Sequence, residues 1–153
     1  MSLVSNCTAA TPSPRPSIAS MNSIRPSSIS NWKQSPRRSK GLPNAFDHCN
    51  VLFKPTLAKT VQFRSKKDEF ESYFLGQNNV CEEDSGFAIK EWKSIKFENY
   101  KIVDYNGSIL AMGNYFFEDG GQKLLKVEYT FGFIRIKDLL KINLHHSSLP
   151  YNG

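Results

Sequence analysis

The 153-residue chain has no acidic residue before Asp47, no paired-cysteine motif, only three histidines and no long apolar run. Each shortage excludes something. A membrane-spanning helix needs about 20 largely apolar residues in succession, so no helical membrane protein is expected. Cys7, Cys49 and Cys81 are widely scattered, which argues against a disulfide framework or a structural zinc site and for reduced thiols inside a cell. A catalytic zinc takes about three protein ligands, most often histidines. Here His145 and His146 are neighbours that a strand would point to opposite faces, and His48 lies far away in sequence. No metal and no cofactor are expected. Walker loops, GxGxxG and GxSxG are also missing.

What is present divides sharply at about residue 45. The net charge of +6 belongs to the first part: Arg15, Arg25, Lys33, Arg37, Arg38 and Lys40 precede Asp47, leaving 14 basic and 14 acidic residues for the rest. A neutral domain gives no reason to expect nucleic acid as a partner. Residues 1–45 are rich in Ser and Pro and too poor in apolar residues to recover the entropy of ordering, so a disordered segment is expected. A basic, serine-rich, acid-free N-terminus without an apolar signal core reads as an organelle transit segment. Its proline and serine density favours the chloroplast, with the mitochondrion as the alternative; a plain basic tail has the same composition.

Residues 46–153 have the patterns of one small α+β domain. Asn50 to Lys59, interrupted by Pro55, suits an edge strand or a loop crossing a sheet. Ser65 and Asp68 have capping-box spacing, Phe70, Tyr73 and Phe74 recur at helical spacing, and Gly76 ends that short helix. From Phe87 the period is two. Lys93 to Phe97 and Asn99 to Tyr105 read as strands, and Asn106-Gly107 is the strongest hairpin signal in the chain. Ser108 to Glu118 returns, Asp119-Gly120-Gly121 turns, and Lys126 to Phe133 alternates apolar with small or polar residues, as a strand with one buried face does. Leu139 to Ser148 closes an antiparallel meander, with Gly113 and Gly132 as candidate bends. Lys66 to Glu69 and Glu82-Glu83-Asp84 read as solvated charge.

The stretches AMGNYFF (Ala111 to Phe117), KVEYTFGF (Lys126 to Phe133) and INLHHSSLPY (Ile142 to Tyr151) resemble the SnoaL-like group. This group also takes in the calcium/calmodulin-dependent kinase II association domains, within the nuclear transport factor two-like superfamily. The HHSS-Leu-Pro ending is most similar to the iota-class carbonic anhydrases, and LFKPTLA (Leu52 to Ala58) with ESYFLG (Glu71 to Gly76) fits the upstream half. The resemblance implies a cone-shaped curved sheet with an internal cavity, usually dimeric, and reversible hydration of carbon dioxide without metal. It implies cavity residues at Thr56, Tyr73 and a His and a Ser of His145-His146-Ser147-Ser148.

Strand periodicity allows either His145 with Ser147 or His146 with Ser148 to face the cavity. Ile142 and Leu144 share the face of His146 on that count, so His145 and Ser147 are the favoured polar pair. A zinc ion lowers the pKa of water from about 15.7 to about 7; without one, His145 is the expected base or shuttle, and Thr56, Tyr73 and Ser147 the expected donors to bicarbonate. Taken alone, each has an ordinary reading: Tyr73 as core, Thr56 as a turn residue, the serines as a strand end. A steroid-isomerase-like reaction would need a cavity carboxylate, and Asp104 and Glu128 qualify by position only. Related domains begin with a long amphipathic helix that residues 30–46 cannot supply. Ile134 to Leu140 replaces the Asp/Gly-rich turn expected before the last strand. The expected ligand is carbon dioxide and bicarbonate or another small molecule. The rival expectation is a non-catalytic dimerisation or small-ligand module.

Overall fold

The computed structural model describes residues 45–76, 78–121 and 123–153. The disordered segment and transit signal expected for residues 1–45, and the question of a preceding helix, fall almost wholly outside that range. Ala45 is the exception. It is fully buried, and its N–H donates to Ile142 O at 2.9 Å, so it already belongs to the domain.

Five strands and one helix are formed: β1 (Leu52–Lys54), α1 (Lys67–Leu75), β2 (Trp92–Tyr105), β3 (Ser108–Asp119), β4 (Leu124–Ile136) and β5 (Leu139–Ser148). They make one sheet in the order β1-β5-β4-β3-β2. The last four strands are the expected antiparallel meander. The segment expected as an edge strand or a crossing loop forms the edge strand β1, which runs parallel to β5 with Phe53 beside His145. Pro55 lacks an N–H and ends that strand after three residues. The outer edge of β1 is occupied by Arg64, which exchanges two backbone hydrogen bonds with Phe53 at 2.8 and 2.9 Å.

Hairpin chemistry fixes the meander. Asn106 and Gly107 both have positive φ, 51° and 84°, as a two-residue I′ turn requires. The turn between β4 and β5 is just as tight, with Lys137 at φ 55°, so most of Ile134 to Leu140 is strand rather than loop. The two stretches expected on either side of Glu98 join into one long β2 through a register shift between Asn99 and Lys101.

That shift faces Gly113, where an added Cβ would stand 2.2 Å from Glu98 O. A second shift lies between Gly132 and Phe133, and there a Cβ on Gly132 would stand 2.9 Å from Leu144 Cβ. Both glycines therefore mark bulges, which bend and twist the strands that carry them.

One face of the sheet is aromatic. Tyr115 and Phe117 from β3, and Val127, Tyr129 and Phe131 from β4, are buried with Phe53, Phe70, Tyr73 and Phe87 in one core. The helix supplies Phe70 and Tyr73 to it. Its start differs by one residue from expectation: Lys66 is the N-cap, and the Glu69 carboxylate accepts from the Ser65 and Lys66 N–H groups. Gly76 ends it with a left-handed φ of 63°.

The acidic loop also departs from its solvated reading. Arg64 is fully buried and forms a two-pronged pair with Asp84, at 2.7 and 2.9 Å. Glu83 accepts the N–H groups of Lys59, Thr60 and Val61. Burial of one charge demands a partner, and here the two loops flanking α1 supply both. Among the described residues no helix is long and apolar enough to cross a membrane.

Candidate active site

The parallel pairing of β1 with β5 brings the residue after Pro55 beside the end of β5. Thr56 Oγ1 donates to Ser147 Oγ at 2.9 Å, and both residues are buried. Lys54 Nζ donates to Ser147 O at 3.2 Å, which fixes the strand end from outside. Two positions earlier on the same face, His145 packs against Phe131, Phe53 and Phe74 with ring centroids at 4.7, 5.0 and 6.2 Å. Its Nε2 is enclosed without a hydrogen-bond partner. Burial among rings disfavours the imidazolium and pulls its pKa down to about 3, with a smaller push from His146.

Tyr73 enters from α1. Its ring lies nearly parallel to Phe87 at 5.4 Å, and the Arg64 guanidinium sits 5.6 Å from its centroid. The buried Tyr73 hydroxyl makes no hydrogen bond of good geometry. Burial raises its pKa well above the ordinary phenol range, opposed by the nearby Thr56 hydroxyl and Leu57 backbone. Tyr73 therefore stays a protonated phenol, able to donate into the cavity.

These four residues line one cavity of about 70 Å³. The rest of its wall is mostly aromatic: Phe74, Phe87, Trp92, Phe97, Phe117 and Phe131, with Tyr115 adding one more hydroxyl. No carboxylate, ammonium or guanidinium lines it. A water needs about 10–15 Å³ of such space, so the cavity suits a ligand of three or four heavy atoms with a water beside it. Pockets for drug-sized ligands are about 300–1,000 Å³, which excludes a steroid. Asp104 and Glu128, the position-only candidates for a base, are exposed and outside the cavity.

His146 is exposed and Ser148 reaches outward to Glu128 at 3.4 Å, so His145 and Ser147 are the inward pair. The alternation count behind that preference fails for the residues before the bulge. The bulge places Ile142 opposite Phe133, on the apolar face, so Ile142 does not share the side of His146. Among the described residues no three His, Cys, Asp or Glu side chains gather where they could hold a metal ion. Neither Cys49 nor Cys81 lines the cavity.

Sequence reasoning passed over Tyr115 and Arg64. The first had a signal: Ala111, Tyr115 and Phe117 share one face by strand alternation. The second had none, because Asp84 is twenty residues away.

An α1 helix over a curved meander sheet, with a small polar-ended cavity between them, defines a nuclear transport factor two-like α+β domain. A calcium/calmodulin-dependent protein kinase II association domain of Xanthomonas campestris has the same fold at 20% identity, with a TM-score of 0.55 and coverage of 98% of this chain and 100% of that one. The bicarbonate complex of a cyanobacterial iota-carbonic anhydrase superposes with a TM-score of 0.69 at 34% identity, covering 72% of this chain and 68% of the other. A metal-independent carbonic anhydrase of Nostoc sp. is 37% identical over 103 residues, which are 66% of this chain and 50% of that protein. The chain thus spans about half the length of that curated relative. A family model described as metal-independent carbonic anhydrase matches residues 43–149. The chain belongs to the metal-independent carbonic anhydrase family.

Proposed function

We propose that this domain catalyses the reversible hydration of carbon dioxide to bicarbonate without a metal or other cofactor. One observation carries the reading: a small, uncharged cavity of about 70 Å³ brings the Thr56–Ser147 pair together with two unpartnered polar atoms, Tyr73 Oη and His145 Nε2. Carbon dioxide is apolar and partitions readily among aromatic rings. Hydration joins a water oxygen to its carbon, moves one C=O electron pair onto oxygen, and releases one proton. Charge then develops on oxygens that the hydroxyls of Tyr73 and Ser147 can meet with hydrogen bonds, the Ser147 hydroxyl being held in place by the one it accepts from Thr56. Because no fixed cation holds the anion, product is released easily.

The base role ascribed to His145 gives way to a different one. An imidazole that binds a proton only near pH 3 is a poor acceptor at neutral pH. His145 acts instead as a neutral hydrogen-bonding group that orients the attacking water, and the proton leaves to solvent buffer. The absence of an ordinary base from the cavity is also the observation that favours the rival reading, a non-catalytic small-ligand or dimerisation module. Stopped-flow carbon dioxide hydration separates the two. Catalysis by the wild-type chain that falls about 100-fold in Ser147→Ala, the scale of losing one donor to a developing oxyanion, supports the enzyme; a folded protein without catalysis supports the module.

The same reading includes a homodimer in the chloroplast, with the mitochondrion as the alternative, and the residues before Ala45 as the transit segment. The dimer is supported by an apolar row across the outer face of the sheet. Val103, Leu110, Gly132, Leu144 and Leu52 are cross-strand neighbours there, and Val103, Leu110 and Leu52 are exposed. Exposed apolar patches of this kind mark association surfaces. Sedimentation velocity tests the dimer, and import into isolated plastids and mitochondria tests the destination.

A further inference from the structure

The cavity holds one hydroxyl that the reading above leaves without work. Tyr115 is buried on β3, on the sheet wall of the cavity, whereas Tyr73 belongs to the helix wall. Its ring is clamped. It lies parallel to Tyr129 within 6° at 5.3 Å, with Phe117 edge-on at 4.9 Å and Phe97 edge-on at 5.5 Å. With neighbours on its face and edges, the ring cannot turn its hydroxyl toward solvent. A buried phenol ordinarily finds a hydrogen-bond partner. Here the Tyr115 hydroxyl has those of Ser147 and Thr56 as its hydrogen-bonding neighbours, and these are bonded to each other, so all three form one polar cluster at the cavity wall.

We propose that Tyr115 is a catalytic residue, donating a hydrogen bond from the sheet wall to a bicarbonate oxygen that Tyr73 cannot reach from the helix wall. The inference rests on the carbon dioxide reading and extends it within the same cavity. Bicarbonate is planar and presents three oxygens. Two phenols on separate walls, with the Thr56–Ser147 pair between them, provide donors to more than one of those oxygens without any fixed cation. Burial pushes the Tyr115 phenol up to about 12, against the easing effect of Ser147 and Thr56, so it stays protonated and able to donate at neutral pH. Rigid clamping matters because a pre-set donor needs no reorganisation as charge develops.

Tyr115→Phe in the full chain keeps the ring and its stacking and removes only the hydroxyl. Stopped-flow hydration is expected to lose about 100-fold in kcat/KM, the scale of one oxyanion donor, with the thermal midpoint near wild type. Tyr100→Phe, at an exposed tyrosine of β2, should leave the rate unchanged. A Tyr115→Phe rate equal to wild type overturns the assignment while leaving the carbon dioxide reading intact. An inactive but folded wild type overturns that reading instead, and bicarbonate binding then decides for Tyr115. In wild-type protein with isotope-labelled tyrosine rings, added bicarbonate must shift the Tyr115 resonance; an unmoved resonance overturns the proposal, and this readout does not depend on the folding of any variant.

Discussion

Acid should destabilise this domain through His145 in a way that can be isolated. Burial holds the imidazole neutral, with a pKa of about 3 against 6.5 for the free side chain. Between those values the unfolded chain binds a proton that the folded chain refuses. Stability from this residue is therefore complete above pH 6.5 and is lost as pH falls toward 3. Each pH unit inside the window is worth about 1.4 kcal/mol. At pH 5 the loss is about 2 kcal/mol, and the ceiling near pH 3 is about 5 kcal/mol on the same scale. For a small domain with about 5–15 kcal/mol in hand, that is a large share. Urea unfolding at pH 7.5, 6.5, 5.5 and 5 should show the wild type losing about 2 kcal/mol more than His145→Gln between pH 6.5 and 5. The carboxylates and His48 are common to both proteins and cancel in the difference, as does His146 apart from its small push on His145. Equal pH slopes for the two would refute the buried, neutral imidazole and the role built on it.

Tyr73→Phe should retain the fold, since stacking on Phe87 needs only the ring, and lose roughly 10- to 100-fold in hydration rate; an unchanged rate removes Tyr73 from the site. Arg64→Met leaves Asp84 buried without its partner and should cost about 3–5 kcal/mol in urea unfolding, whereas a change within error would mean the pair is replaceable by solvent. Gly113→Ala forces a Cβ to within 2.2 Å of Glu98 O, and the required backbone shift should cost about 1–3 kcal/mol, measured by thermal or urea unfolding; a neutral substitution would contradict the bulge as described.

The parts of this fold that were legible are those written locally. Asn106-Gly107 demands a hairpin, Gly76 a helix end, and the alternation from Val127 to Phe133 a strand with one apolar face. Gly113 and Gly132 announced bends because an unbranched residue inside a strand otherwise has no purpose. What was hidden depends on contacts distant in sequence. Nothing near Leu52–Lys54 says that it pairs parallel with β5, yet that pairing is what sets Thr56 against Ser147. Glu83 and Asp84 look like solvent-facing charge until Arg64 is placed beside them. The bulge at Asn143 changes which residues share a face without altering the run around it, so the alternation count reached the inward pair while misplacing Ile142. Tyr115 was concealed in an aromatic stretch where a hydroxyl is one atom among many rings. The low basicity of His145 arises from Phe53, Phe74 and Phe131, none of them adjacent to it in the chain.

The central claim is that a neutral, metal-free cavity hydrates carbon dioxide. Its most direct test is the initial rate of carbon dioxide hydration by the full chain in a stopped-flow pH-indicator assay, after exhaustive treatment with a chelator and again with chelator in the assay. A catalysed rate proportional to protein concentration and unaffected by chelator is expected. A folded protein with no catalysis, or catalysis that chelator abolishes and added zinc restores, would contradict it.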